Sequence, residues 1–184
     1  IETARAHESD AVVAALADTI VPAQKVMEIA AKHVNTLGGV NGRPLKLVFE
    51  DSGCDGEPAK VAMEKLVSLS KVKYVLGGLC SSETLSAAPM ANENKVVLLS
   101  YGSSNPKITQ SGDFVFRNYA SDTTQGVTLA EYAVKKGYKK VGMLVEQQPY
   151  AEGVAEAFTT EFNKTTGETV VEKYASTASD FRTQ

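Results

Sequence analysis

Two apolar runs, Tyr74 to Leu76 and Val96 to Leu99, are each followed by glycine and then by a serine pair, Ser81-Ser82 and Ser103-Ser104. Helix-like spacing from Glu83 to Glu93 separates them. The pattern predicts a βαβ unit with two hydroxyl-rich loops at the same end of two neighbouring parallel strands. In an open parallel sheet, that end is where ligands bind.

Ahead of this unit, residues 1 to 36 read mainly as helix. Ser9 and Asp10 are candidate caps, Pro22 suits the first turn of a second helix, and Val26, Ile29, Ala30 and Val34 keep helical spacing. Ala11 to Leu16 admits a short strand, but its alanine content and the Val12, Leu16, Ile20 spacing favour helix. Gly38 and Gly39 stop the helix, Asn41-Gly42 makes a tight turn, and Leu45 to Glu50 alternates as a strand. From Glu57, with Pro58 in a first turn, Val61, Met63, Leu66 and Val67 mark a helix leading into the Tyr74 strand.

Beyond the central unit the pattern predicts a strand at Phe114 to Tyr119 and a helix at Thr123 to Lys136, with Asp122 and Gln125 spaced as a capping box. A strand at Val141 to Val145, a helix at Ala151 to Thr165 closed by Gly167, and a strand at Thr169 to Tyr174 follow. Strand and helix alternate throughout, which gives an α/β fold with parallel sheets. A break at Tyr119 to Asp122 divides the chain into residues 1–120 and 121–184.

Composition narrows the partners. With 43% hydrophobic and 22% charged residues, the 184-residue chain can bury a core as one large domain or two small ones. A net charge of −3 without a basic block argues against nucleic acid and against an anionic membrane surface. The apolar runs are far short of a membrane span. Ile1 opens a polar segment without a leader, as a mature exported chain would.

The chain has no GxGxxG after a strand, no GxxxxGK[ST], no GxSxG elbow and no HExxH, so no cofactor is expected. Cys80 stands at a strand-to-helix turn, where some amidotransferases keep a nucleophile, but neither His7 nor His33 falls in a loop at that sheet edge to serve as its base. No His and Cys cluster has metal spacing. Cys54 and Cys80 each follow a predicted strand at the same sheet edge. On spacing alone a bridge, worth roughly 3.5 kcal/mol by chain entropy, and two buried thiols stand equal. A bridge would place the protein outside the cytosol.

The loops offer short hydroxyls and helix-start amides, which suit an anion such as a carboxylate. Taken singly, Ser81 or Ser82 as a helix cap and Ser103 to Pro106 as a solvated turn are the simpler readings. Taken together, the two serine pairs read as half of a ligand cleft. Asp122 suits either a helix cap or a counter-charge for a ligand ammonium, and Tyr150, after Pro149, either an exposed loop ring or a cover for an apolar group. An anion site facing a carboxylate suits a zwitterion, which points to an α-amino acid.

These residues carry a resemblance. GGVNGRPLKLVFEDSGCD, YVLGGLCSSET, LLSYGSSNPKITQSGDFVFRNYASDTTQG and EQQPYAEGVAEAF resemble, in order and spacing, the amino-acid-binding proteins of branched-chain amino-acid ABC transporters, from about Gly38 to Gln184. The resemblance implies a two-lobed type I periplasmic-binding-protein-like α/β fold with a three-layer parallel sheet. It also implies a Cys54–Cys80 disulfide, Ser81 and Ser104 on the ligand carboxylate with Ser103 contributing backbone, Asp122 near the ammonium, and Tyr150 as the aromatic residue of the second lobe. Residues 1–120 then correspond to the N-terminal part of the first lobe and residues 121–184 to the start of the second.

The implied function is capture of an apolar amino acid in the periplasm or outside the cell, from a chain lipid-anchored before processing, for delivery to an ABC-transporter permease. The alternatives are a ligand-sensing receptor ectodomain of the same fold and, less favoured, a Cys80-dependent amidohydrolase. Two departures set further expectations. In residues 1 to 25 the family's opening strand and glycine loop are atypical or missing, and the family continues past Gln184. The sheet is therefore expected to be incomplete, with its first strand atypical or missing and its second lobe truncated, and its open edges to favour self-association.

Overall fold

The computed structural model describes residues 11–17, 21–165 and 167–182. Ser9, Asp10 and His7, named above as caps and as a candidate base, lie outside the described residues. The described part of residues 1–103, together with 108–119, forms one compact unit, and residues 104–107 with the described part of 120–184 form another.

The first unit is built on five parallel strands, β1 (Ala11–Ala17), β2 (Leu45–Asp51), β3 (Tyr74–Leu76), β4 (Val97–Ser100) and β5 (Val115–Arg117). They lie in the order β2-β1-β3-β4-β5. The helices between them are α1 (Val21–Thr36), α2 (Gly56–Ser68) and α3 (Ser81–Asn94). Pro22 is the second residue of α1, as its first-turn preference predicts.

The helix expected over Ala11 to Leu16 is instead the strand β1. It pairs residue for residue with Leu45–Asp51 on one side, while Ala14 and Ala15 pair with Val75 and Leu76 on the other. Ala14 and Ala15 are wholly buried. A parallel strand covered on both faces has no polar alternation to betray it, and its pairing outweighs alanine's helix preference. The opening strand is therefore present but atypical, and a missing strand is not a ground for self-association.

On one sheet face Ala62, Met63 and Leu66 of α2 and Ala87, Ala88 and Ala91 of α3 pack against Val75, Leu98 and Val115. Each large side chain buried there contributes roughly 1.5–3 kcal/mol. The chain leaves β1 toward β2, then crosses back to β3 on the other side, so the strand order reverses between β1 and β3. Beyond the carboxyl ends of such strands lies the crevice where doubly wound sheets bind ligands.

The second unit holds α4 (Asp122–Lys135), β6 (Lys140–Glu146), α5 (Pro149–Phe162) and β7 (Glu168–Tyr174), with β6 and β7 paired in parallel. Ala130 and Ala133 of α4 pack on Phe158 and Phe162 of α5, with Val141 and Met143 of β6 against them. Gly126 lets the helices approach closely, because a Cβ there would lie 2.6 Å from the Phe158 amide nitrogen.

Candidate functional site

The serine pairs do different work from one another. Cys80 is the N-cap of α3, paired with Glu83 in a capping box, so neither Ser81 nor Ser82 caps the helix. The Ser82 hydroxyl donates to the Cys54 carbonyl at 2.9 Å, tying the loop after β2 to the start of α3. Ser81, in the first turn, is buried. Helix-start amides and the helix dipole favour negative charge at that turn.

Cys54 and Cys80 form a disulfide, with their Cα atoms 5.3 Å apart. The two loops it joins follow β2 and β3, which flank β1. It therefore bridges the loops on either side of the sheet's reversal.

Ser103 knits the loop after β4 to the loop after β3. Its hydroxyl lies 2.9 Å from the Cys80 carbonyl, 3.0 Å from that of Gly78 and 2.8 Å from the Thr84 hydroxyl. With one proton, it donates to one acceptor at a time. Its own N–H donates to Ser100 Oγ at 2.9 Å, and Ser100 in turn donates to the Gly78 carbonyl at 2.7 Å. Side chain and amide of Ser103 are thus both engaged in holding the loops.

Within the second unit, Ser104 and Asp122 come together, for the Asp122 N–H donates to the Ser104 carbonyl at 2.9 Å. Both residues are buried. Asp122 is not the cap expected from its spacing to Gln125. The N-cap is Ser121, whose hydroxyl accepts from the Thr123 N–H at 3.4 Å, and Asp122 is the first helical residue. The shift by one position turns the carboxylate inward instead of over the helix end.

Asn105 extends this cluster to α5. Its Nδ2 donates to the Pro149 carbonyl and its Oδ1 accepts from the Lys107 N–H at 2.8 Å. Tyr150 follows Pro149 in the first turn of α5, half exposed, beside an apolar groove lined by Leu129, Tyr138, Leu144 and Val154. The structure therefore gathers Ser81 with Ser103 in one unit, and Ser104 with Asp122 and the helix that carries Tyr150 in the other.

Sequence reasoning missed Glu83, Ser100 and Asn105. Glu83 carried a usable signal, standing three residues after Cys80 at the capping-box distance, but a half-cystine is an uncommon cap. Ser100 and Asn105 matter through contacts between loops, which leave no pattern in the chain.

A parallel α/β sheet with hydroxyls and a helix start beside its reversal has the arrangement of a ligand-binding α/β protein. The Periplasmic binding protein family model matches residues 12–184, and the chain belongs to that family. It is 34% identical over 137 residues to an amino acid binding protein of Pseudomonas aeruginosa, covering 73% of this chain and 37% of that one. It is 31% identical over 132 residues to the Leu/Ile/Val-binding protein of Escherichia coli K12, covering 71% and 36%. The crystal structure of the leucine binding protein LivK from Thermotoga maritima matches with a TM-score of 0.79 at 28% identity, over 95% of this chain and 51% of that one. The chain thus spans about half or less of the length of these relatives. Family membership implies a periplasmic or extracellular location.

Proposed function

We propose that this chain is the amino-acid-capturing part of a solute-binding protein that serves an ABC-transporter permease, with residues 1–120 belonging to its first lobe and 121–184 opening its second. Ser81 and Ser104 take the α-carboxylate, Ser103 sets their loops, Asp122 takes the α-ammonium, and Tyr150 covers an apolar side chain. The observation that carries this reading is that Ser103 ties the serine loop after β4 to the serine loop after β3, which opens beside the reversal of the sheet. Leucine, isoleucine or valine is the favoured ligand, because relatives are named for binding them and the site residues supply no second charge for a long cationic or acidic group.

Catalysis forms no part of the proposal. Cys80 is bonded to Cys54, which removes the thiol a cysteine enzyme would need. Lipid anchoring before processing belongs to the proposal through the family alone. Self-association is proposed through apolar surface on α1, not through an absent strand. Calorimetry on the full-length protein with leucine, isoleucine, valine, arginine and glutamate tests the ligand class. Leucine, isoleucine or valine should bind tightest, and tighter binding of arginine or glutamate overturns the apolar assignment.

A further inference from the structure

Glu83 is the most deeply buried carboxylate among the described residues. Its Oε2 accepts the Cys80 N–H at 2.7 Å, while its Oε1 accepts the Cys54 N–H at 3.3 Å and the Ser52 hydroxyl. One carboxylate therefore holds the backbone amides of both half-cystines. The loops that supply them follow β2 and β3, so the clamp joins the two sides of the sheet reversal alongside the disulfide.

The surroundings are built to admit it. A Cβ at Gly78 would overlap the Glu83 side chain, so a larger residue in the loop after β3 would expel the carboxylate. Cys54 sits at φ 56°, in the left-handed region that non-glycine residues seldom adopt. Its N–H is held by Glu83 and its carbonyl by Ser82, both from the first turn of α3. Such a conformation persists where its neighbours over-determine it.

The chemistry selects an ionised acid over its amide. Three donors converge on two oxygens, and a carboxylate is an acceptor at both. An amide in the same volume would turn its NH2 group toward one of those donors, leaving two donors opposed in a buried site.

Cys80 is the link from this clamp to the ligand loop. Glu83 fixes its N–H, while its carbonyl accepts from the Glu83 N–H at 3.1 Å and lies 2.9 Å from the Ser103 hydroxyl. That carbonyl shares a rigid peptide plane with the Ser81 N–H. The direction of the Ser81 amide is thereby set from both sides of Cys80.

We propose that Glu83 is a positioning residue for ligand-carboxylate recognition: through the amides of Cys80 and Cys54 it fixes the orientation of Ser81 at the start of α3. It does not touch the ligand. This inference rests on the reading of Ser81 as a carboxylate ligand.

The test compares leucine with 3-methylbutylamine, its analogue without the carboxylate, on the full-length protein and its Glu83→Gln, Ser52→Ala and Ser81→Ala variants. Disulfide retention is checked by mass, and the Cys54 and Cys80 amides are followed by NMR. In Glu83→Gln, leucine affinity should fall by about tenfold while amine affinity stays within about twofold, and both amide protons should move upfield as their carboxylate is lost. Ser52→Ala, which keeps the carboxylate and both amides, should show a smaller loss confined to leucine, and it decides the question if Glu83→Gln does not fold. An equal loss for leucine and the amine, or unchanged leucine affinity in a folded variant, overturns the positioning role. Unchanged leucine affinity in Ser81→Ala removes only the Ser81 hydroxyl from the site, whereas equal binding of leucine and 3-methylbutylamine by the unaltered protein overturns the ligand reading itself.

Discussion

The Ser104 carbonyl accepts the Asp122 amide proton at 2.9 Å, which anchors the first peptide of α4 to the loop after β4. Because the bond is between backbone groups, replacing either side chain leaves it in place. Side-chain effects at these two positions can therefore be separated from the docking of the helix.

Ser104→Ala and Asp122→Asn should each weaken binding of leucine by about ten- to a hundredfold in the full-length protein, since a desolvated, charge-assisted hydrogen bond is worth roughly 1.5–3 kcal/mol. Calorimetry measures the change. Equal binding of leucine and 3-methylbutylamine would remove the carboxylate assignment.

Reduction should raise the intact mass by two hydrogens, because Cys54 and Cys80 are bonded to each other. Cys54→Ala with Cys80→Ala should cost roughly 2–4 kcal/mol in denaturant unfolding. Two thiols that alkylate freely in the native, unreduced protein would contradict the bridge.

Gly126→Ala should destabilise the second unit. Alanine gains about 1 kcal/mol in helix propensity over glycine, but the added carbon would lie 2.6 Å from the Phe158 amide nitrogen, and backbone cannot swing aside as a side chain can. Overpacking of this kind costs roughly 1–3 kcal/mol, so the net effect is a loss. A raised melting temperature by calorimetry would show that α5 yields more easily than its packing on α4 implies.

Val26 and Ile29 on α1 are 65% and 69% exposed, beside a groove of about 560 Å³ lined by Met27, Leu76, Leu79, Leu99 and Tyr101. A dilution series of the 184-residue chain followed by light scattering should reveal association at high concentration. The double variant Val26→Lys, Ile29→Lys should suppress it. Association that persists unchanged in that variant would place the contact elsewhere.

The chain's own pattern was enough to find the central βαβ unit, because apolar runs ended by glycine and serine mark strand ends wherever they occur. It also located the serine pairs, whose position beyond the carboxyl ends of the strands follows from strand direction alone. The opening strand was not legible, because AVVAALA has no period of two to set against its helix-forming alanines. Only burial between β2 and β3 decided it, and no property of the segment itself reports its neighbours. The caps were decided in the same way. Ser121 in place of Asp122, and Cys80 in place of either following serine, depend on which side chain turns back over the helix end and which turns inward. Sequence shows Glu83 as a polar residue opening a helix. Its burial beneath the two half-cystines follows from bringing the loops after β2 and β3 together, a long-range closure that only the assembled sheet can specify.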